Sequence, residues 1–296
     1  MNKLFKFGFF IVLIVAVILI VRPHESAEIS GSPQAEAIST VSAFEAPLLE
    51  DELPAGLTMN AKTAFIRELG GGKNILAYHS NISWPIASIT KLMTAVVAEE
   101  TIGEDVKITI TDDALNVEGV AGNLKKGQKY SSWDLIVAML TVSSNDAAEA
   151  LAQAYDKTIL TPEEFNSALS KHAYFVEKMN ERAKELGMPD TSYGDPTGVS
   201  MNNQSTAGDL YKLVTYISLR YPDFWKVTRN KSNNGLLNIN PLSGTADFIG
   251  GKTGRTPESG DNLISIYNYK GKQYMLLVFG AEDRFVETAK LKEFLI

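Results

Sequence analysis

The chain has no cysteine among its 296 residues. That excludes disulfides, thiolate nucleophiles and zinc–thiolate centres. Histidine is scarce: His24, His79 and His172 are the only three. They form no HExxH or other paired-histidine metal pattern, so neither a metal nor another cofactor is expected. A Ser-His-Asp triad needs a histidine held beside its serine, and only His79 lies near a candidate serine in sequence. It ends a strand-like run, where a polar side chain is ordinary. A serine activated in this chain therefore needs lysine as its base. Basic residues are outnumbered 28 to 35, giving a net charge of −7. Phosphate backbones bind basic faces, so nucleic acid is not an expected partner.

Apolar residues are plentiful, at 45% of the chain, enough for one large domain or two modest ones. Residues 4–21 form an apolar run broken only by Lys6 and Gly8. A helix of that length spans about 27 Å, close to a bilayer core. Lys6 is near enough to the end to snorkel. A cleaved signal peptide is the competing reading. It needs small residues after the apolar run, but Arg22-Pro23-His24-Glu25 follows, and Ala35-Glu36-Ala37 is too distant. The expectation is a transmembrane signal anchor over residues 1–22. Lys3 and Lys6 before the span, against Arg22 alone after it, put the bulk of the chain outside the cytoplasmic membrane. Residues 23–54, rich in Ser, Ala, Pro and Glu, read as a flexible linker. Residues 55–296 read as one catalytic domain.

Within that domain, runs at 61–69 and 74–79 flank Gly70-Gly71-Gly72 and predict a hairpin. From Ser88 to about Glu100 the spacing of Ile89, Leu92, Met93, Val96 and Val97 predicts a helix. Ser131 with Asp134, Thr161-Pro162 with Glu164, and Thr206 with Asp209 mark three more helix starts. Runs at 248–253, 263–269 and 274–280 read as strands, followed by an amphipathic helix over about 283–295. Strands at both ends with helices between predict two subdomains, the helical one inserted over about 105–240. A cleft between them is the natural place for a site.

Three short motifs follow in order: Ser88-Ile89-Thr90-Lys91, Ser143-Ser144-Asn145 and Lys252-Thr253-Gly254. Ser88 and Lys91 are three residues apart, so a helix puts both side chains on one face. A neutral lysine can deprotonate the serine if burial or a neighbouring positive charge, such as Lys252, lowers its pKa. The backbone N–H of Ser88 is a candidate oxyanion donor, and that of Arg255 a second. Gly254 has no side chain, which suits a substrate lying close against the strand. Ser143 is placed to relay a proton to a leaving amine, and Asn145 to bond the substrate backbone or Lys91. Each motif alone is commonplace: a capped helix with a surface lysine, a helix start, a strand end. Gly251-Lys252-Thr253 also resembles the end of a P-loop, but that pattern's leading glycine falls at Ala246.

The ordered set is the one shared by class A β-lactamases and penicillin-binding proteins. The wider chain resembles the low-molecular-mass penicillin-binding proteins, the serine D-alanyl-D-alanine carboxypeptidases of the peptidase S11 type. The resemblance runs over about residues 55–296. It includes Pro85-Ile86-Ala87 before Ser88, Asp146-Ala147-Ala148 after Asn145, the stretch 175–188, Asp195-Pro196-Thr197-Gly198 and Asn238-Ile239-Asn240. It implies an α/β (α+β) fold: an antiparallel five-stranded sheet flanked by helices, with an inserted helical subdomain. It implies Ser88 as nucleophile, Lys91 as base, Ser143 and Asn145 as second-motif groups, and Lys252 and Thr253 as holders of the substrate carboxylate, helped by Arg284. Ser144 departs from the glycine common at that place.

The implied reaction trims the terminal D-alanine from peptidoglycan stem peptides ending in D-Ala-D-Ala, with β-lactams as covalent inhibitors. D,D-endopeptidase cleavage of cross-links uses the same residues and stays open. So does the oligomeric state. A β-lactamase of class A would need a deacylating glutamate. Glu177, with Asn180 three residues on rather than four, reads as a solvated helix residue. A non-catalytic sensor of stem peptides or β-lactams is the remaining alternative, against which the intact base and Lys252 stand.

Overall fold

The computed structural model describes residues 52–72, 74–119 and 121–295. The expected anchor at 1–22 and all but the last few linker residues lie outside the described residues. Among the described residues no helix is long and apolar enough to cross a membrane.

Five strands build one antiparallel sheet: β1 (Thr63–Glu68), β2 (Asn74–Tyr78), β3 (Phe248–Thr256), β4 (Gly260–Tyr269) and β5 (Lys272–Ala281). Their spatial order is β2-β1-β5-β4-β3, so β3 is an outer strand. The register pairs Phe65 with Leu277 and Ile264 with Lys252. Alternation sorts the side chains by face. Ala64, Ile66, Leu276 and Val278 pack on one side with Leu291. Phe65, Leu277, Phe279 and Ile264 pack on the other with Ile89, Leu92 and Val96. Both faces are therefore dry, and each fully buried Leu or Phe contributes about 1.5–3 kcal/mol.

The longer helices are α1 (Lys91–Thr101), α2 (Ser132–Val142), α3 (Asn145–Ile159), α4 (Ala173–Glu185), α5 (Ala207–Arg220), α6 (Pro222–Arg229) and α7 (Arg284–Phe294), with short helices at Asp112–Leu115 and, capped by Thr161, at Pro162–Ser167. Their starts follow the side chains that satisfy first-turn amides. Ser131 and Asp134 form a reciprocal capping box for α2. Thr206 accepts from Asp209 N at 3.2 Å for α5. Asp283 accepts from Phe285 and Val286 for α7. Such caps contribute about 1 kcal/mol each. Asp156 serves α4 from a distance, accepting from Tyr174 N and Phe175 N at that helix's first turn.

The five-stranded antiparallel sheet with flanking helices is as expected, with three differences in detail. Ser88 lies not in the first α-helical turn but in a 3-10 turn, Ala87–Thr90, ahead of α1. The three C-terminal strands are each three residues longer than the apolar pattern, because sheet pairing continues through polar positions such as Arg255 and Asp261. The helical insertion also carries two small antiparallel strand pairs, Lys107–Thr109 with Lys129–Ser131 and Ser232–Asn233 with Leu236–Leu237. These runs are too short for period-two alternation to stand out.

Candidate active site

The three motifs converge. Ser88 comes from the 3-10 turn, Lys91 from the first residue of α1, Ser143 from the left-handed residue ending α2, and Lys252 from outer strand β3. Lys91 Nζ donates to Ser88 Oγ at 2.9 Å and also to the carbonyl of Thr197. Lys252 Nζ donates to Ser143 Oγ at 2.9 Å and to its neighbour's carbonyl, Thr253 O, at 2.9 Å. Two serine hydroxyls thus face two buried lysines.

The turn carrying Ser88 is gripped from two sides. Ala87 sits at φ 50°, an uncommon conformation for a residue with a Cβ. Gly198, at φ 90°, lies so close that a Cβ there would run into the carbonyl of Ala87. On β3, a Cβ at Gly254 would stand 2.7 Å from Ile86 O and 3.1 Å from Ser88 N. The missing side chain of Gly254 thus lets the strand approach the nucleophile's backbone, a closeness the sequence did not indicate.

Both lysines lie within the fold, Lys91 at 0% and Lys252 at 2% exposure. Burial, which penalises the charged form, brings Lys91 down to about 7 against the pull of Asp195 and Asp146. Burial also drives Lys252 well below its ordinary value, helped by the charges of Lys91 and Arg284. Of the two causes expected to lower Lys91, burial or a neighbouring positive charge, burial is the main one.

Ser144 caps α3, accepting from Ala147 N at 3.1 Å. The motif is thus a helix start and a site element at once. Asn145 follows it, and of its two expected partners, substrate backbone or Lys91, the second is not engaged: its side-chain amide donates to the carbonyl of Glu118. Asn145 Oδ1 is buried and has no hydrogen-bond partner. Arg284 is largely buried. Its Nη1 donates to Gly254 O at 2.7 Å and Asn262 O at 3.2 Å, and its Nε faces Asp261 Oδ2 at 3.2 Å. It ties the end of β3 to α7. Thr253 is buried beside Lys252, whereas the Arg255 side chain is exposed, 3.5 Å from Asp261 Oδ1.

The sequence assigned no role to Thr197, whose carbonyl meets Lys91, or to Asp195, which accepts from the Thr197 amide and hydroxyl. The Asp195-Pro196-Thr197-Gly198 run was the available signal. His79 takes no part: its Nδ1 lies 3.1 Å from Lys62 O and its ring stacks on Tyr78. His172 pairs with Glu149 at 2.9 Å in the helical insertion. Glu177 is exposed on α4, as a solvated residue should be. Among the described residues no cluster of His, Asp and Glu is arranged to hold a metal ion.

A serine paired with a buried lysine, a second serine paired with a second lysine, and a sheet edge beside them define the penicillin-binding class of acyl-transfer enzymes. The D-alanyl-D-alanine carboxypeptidase family, peptidase S11, matches residues 50–283. The chain belongs to that family, and is a hydrolase acting on the D-Ala-D-Ala end of peptidoglycan stem peptides in the bacterial cell wall. It is 32% identical to a D-alanyl-D-alanine endopeptidase of Pseudomonas aeruginosa, over 83% of this chain and 79% of that one. It is 28% identical to the carboxypeptidase DacF of Bacillus subtilis, over 80% and 62% of the two chains. Among solved structures it is similar to penicillin-binding protein D2 of Listeria monocytogenes in a cefotaxime-bound form. There the TM-score is 0.69 and the identity 28%, covering 81% of this chain and 98% of that one.

Proposed function

We propose that Ser88 is the acylated nucleophile of a D-Ala-D-Ala carboxypeptidase. The observation that carries this is the 2.9 Å contact between Lys91 Nζ and Ser88 Oγ, made by an amine whose burial holds it near neutrality. Neutral Lys91 takes the Ser88 proton as the oxygen attacks the penultimate D-alanine carbonyl. The backbone N–H groups of Ser88 and Arg255 serve the oxyanion. Ser143, in contact with Lys252, passes a proton to the departing D-alanine amine. Water then cleaves the acyl-enzyme. Lys252 and Thr253 receive the terminal carboxylate. A bound carboxylate favours charge on Lys252, and that charge in turn keeps Lys91 neutral. Arg284 supports this carboxylate site through the strand end it holds. Asn145 offers Oδ1 to a substrate N–H. β-Lactams acylate the same serine. Residues 1–22 anchor the enzyme to the cytoplasmic membrane, 23–54 tether it, and the domain from residue 55 works on the outer side.

Incubation with a fluorescent penicillin tests the assignment. Wild type becomes covalently labelled, and Ser88→Ala and Lys91→Ala do not. Retained labelling of Ser88→Ala would place the nucleophile elsewhere. A second reading, cleavage of D,D cross-links, draws support from the endopeptidase name of the Pseudomonas aeruginosa relative. Products from cross-linked and monomeric muropeptides separate the two.

A further inference from the structure

The backbone of Glu118 and Gly119 lies against the second motif. Asn145 Nδ2 donates to Glu118 O, and Asn145 N donates to Gly119 O at 3.4 Å. Gly119 has φ 80°, and a Cβ there would stand 2.5 Å from Asn145 Nδ2 and 3.3 Å from its Cγ. The three nearest atoms to that position all belong to Asn145. Two nearby residues approach the positions on either side. Ala121 N donates to Asp146 Oδ1 at 3.5 Å, and a Cβ at Gly122 would stand 2.7 Å from Ser144 Oγ. The cap of α3 comes from Ser144, so the Asn145 side chain is not spent on starting the helix. Its Oδ1 is buried yet has no partner. Leaving a buried acceptor bare is costly, and native structures keep few of them. An asparagine that only fastened a loop would have no use for one.

We propose that the Glu118-Gly119 backbone is a positioning element for Asn145, holding its amide by the nitrogen so that Oδ1 stays open to the substrate. The proposal rests on Asn145 being a substrate-binding group. A carbonyl oxygen accepts and cannot donate, so Glu118 O takes only the NH₂ end of the side chain. That bond decides which way round the amide sits and leaves its acceptor end free. Gly119 completes the seat. Its backbone carbonyl takes the Asn145 N–H, and its lack of a side chain leaves room for the amide nitrogen. An amide fixed before the peptide arrives has no rotamer freedom left to lose on binding. The effect on substrate therefore passes through Asn145, with Glu118 and Gly119 themselves making no contact with the reacting atoms.

The test is a double-mutant cycle on kcat/KM for D-alanine release from a diacyl-D-Ala-D-Ala peptide. Gly119→Ala, whose methyl displaces the Asn145 amide, should lower kcat/KM about ten- to a hundredfold, as should Asn145→Ala. In the Asn145→Ala background the Gly119→Ala change should cost less than about twofold, because of the three nearest atoms only the Cβ at 3.9 Å survives. Gly127→Ala, at φ 75° with nothing within 4 Å of its Cβ, carries the backbone strain alone and should leave kcat/KM unchanged. An equal loss from Gly119→Ala in both backgrounds would make Gly119 an ordinary loop residue and overturn the proposal. So would wild-type activity in Gly119→Ala beside a slowed Asn145→Ala. Wild-type activity in Asn145→Ala would overturn it by removing the role of Asn145 on which it rests. Penicillin labelling of Ser88 in these variants reports separately on the acyl-transfer reading. Should Gly119→Ala not fold, NMR of the wild type decides. The Asn145 NH₂ signals, identified by their loss in Asn145→Ala, should exchange slowly with solvent, and exchange as fast as that of the exposed Asn123 amide would overturn the proposal.

Discussion

Lys252 reaches from an outer strand of the sheet to within 2.9 Å of Ser143 Oγ, a hydroxyl held out by a residue at φ 58°. The contact joins the outer strand of the sheet to the end of α2. Ser143→Ala keeps the fold and removes the proton relay. We expect D-alanine release to fall by about 10²–10⁴ in kcat with little change in KM. Steady-state kinetics on a diacyl-D-Ala-D-Ala peptide check this, and an unchanged kcat would remove Ser143 from the chemistry.

Lys91 is a group whose function costs stability. An unfolded lysine titrates near 10.5, while the folded one is lowered to about 7. Between those values the unfolded chain binds more protons, so the Lys91 contribution to stability rises with pH across that window. At pH 7 and below the penalty is fully present. Lys91→Met, of similar volume, should abolish penicillin labelling yet unfold about 5 °C higher at pH 7, on the order of 2 kcal/mol. Thermal melts at pH 7 and pH 9.5 should show the gap between the two proteins narrowing at the higher pH.

Gly198 and Gly235 both have positive φ, at 90° and 80°, but only Gly198 has neighbours where a side chain would go. Alanine at either position should cost about 1–2 kcal/mol for the backbone alone. Gly198→Ala should in addition slow penicillin labelling at least tenfold, by displacing the turn before Ser88. Gly235→Ala should leave the labelling rate unchanged. Equal labelling rates in both variants would show that the Gly198 contact does not matter to the nucleophile.

Arg284 spends its guanidinium on Gly254 O, Asn262 O and Asp261. Arg284→Met should free the end of β3 beside Lys252 and Thr253. We expect KM for the peptide to rise about tenfold or more, with Tm falling a few degrees. A KM left intact would confine Arg284 to tying strand to helix.

Much of this arrangement is legible in sequence because local rules agree with the fold. The capping residues Ser131, Thr161 and Thr206, the apolar face from Ile89 to Val97, and the alternating strands all have short-range signatures. The three motifs were legible because their chemistry needs particular side chains in order. What escaped depends on contacts distant in the chain. Nothing near Gly254 shows that its partner is the Ile86 carbonyl, and nothing near Asn145 shows that Glu118 would claim its amide. Thr197 lies more than a hundred residues from Lys91, which its carbonyl meets. A lone Asp before Pro-Thr-Gly reads only as a turn.

The Ser88 turn is wedged between Gly198, from the helical insertion, and Gly254, from the sheet. Shifting either glycine against the turn would drag the attacking oxygen with it. Catalysis in this molecule is therefore a matter of a stiff seat, and tolerance for different stem peptides has to come from side chains around the rim. Superimposed coordinates of the free and penicilloylated forms should differ there and hardly at all along the backbone from Ile86 to Lys91.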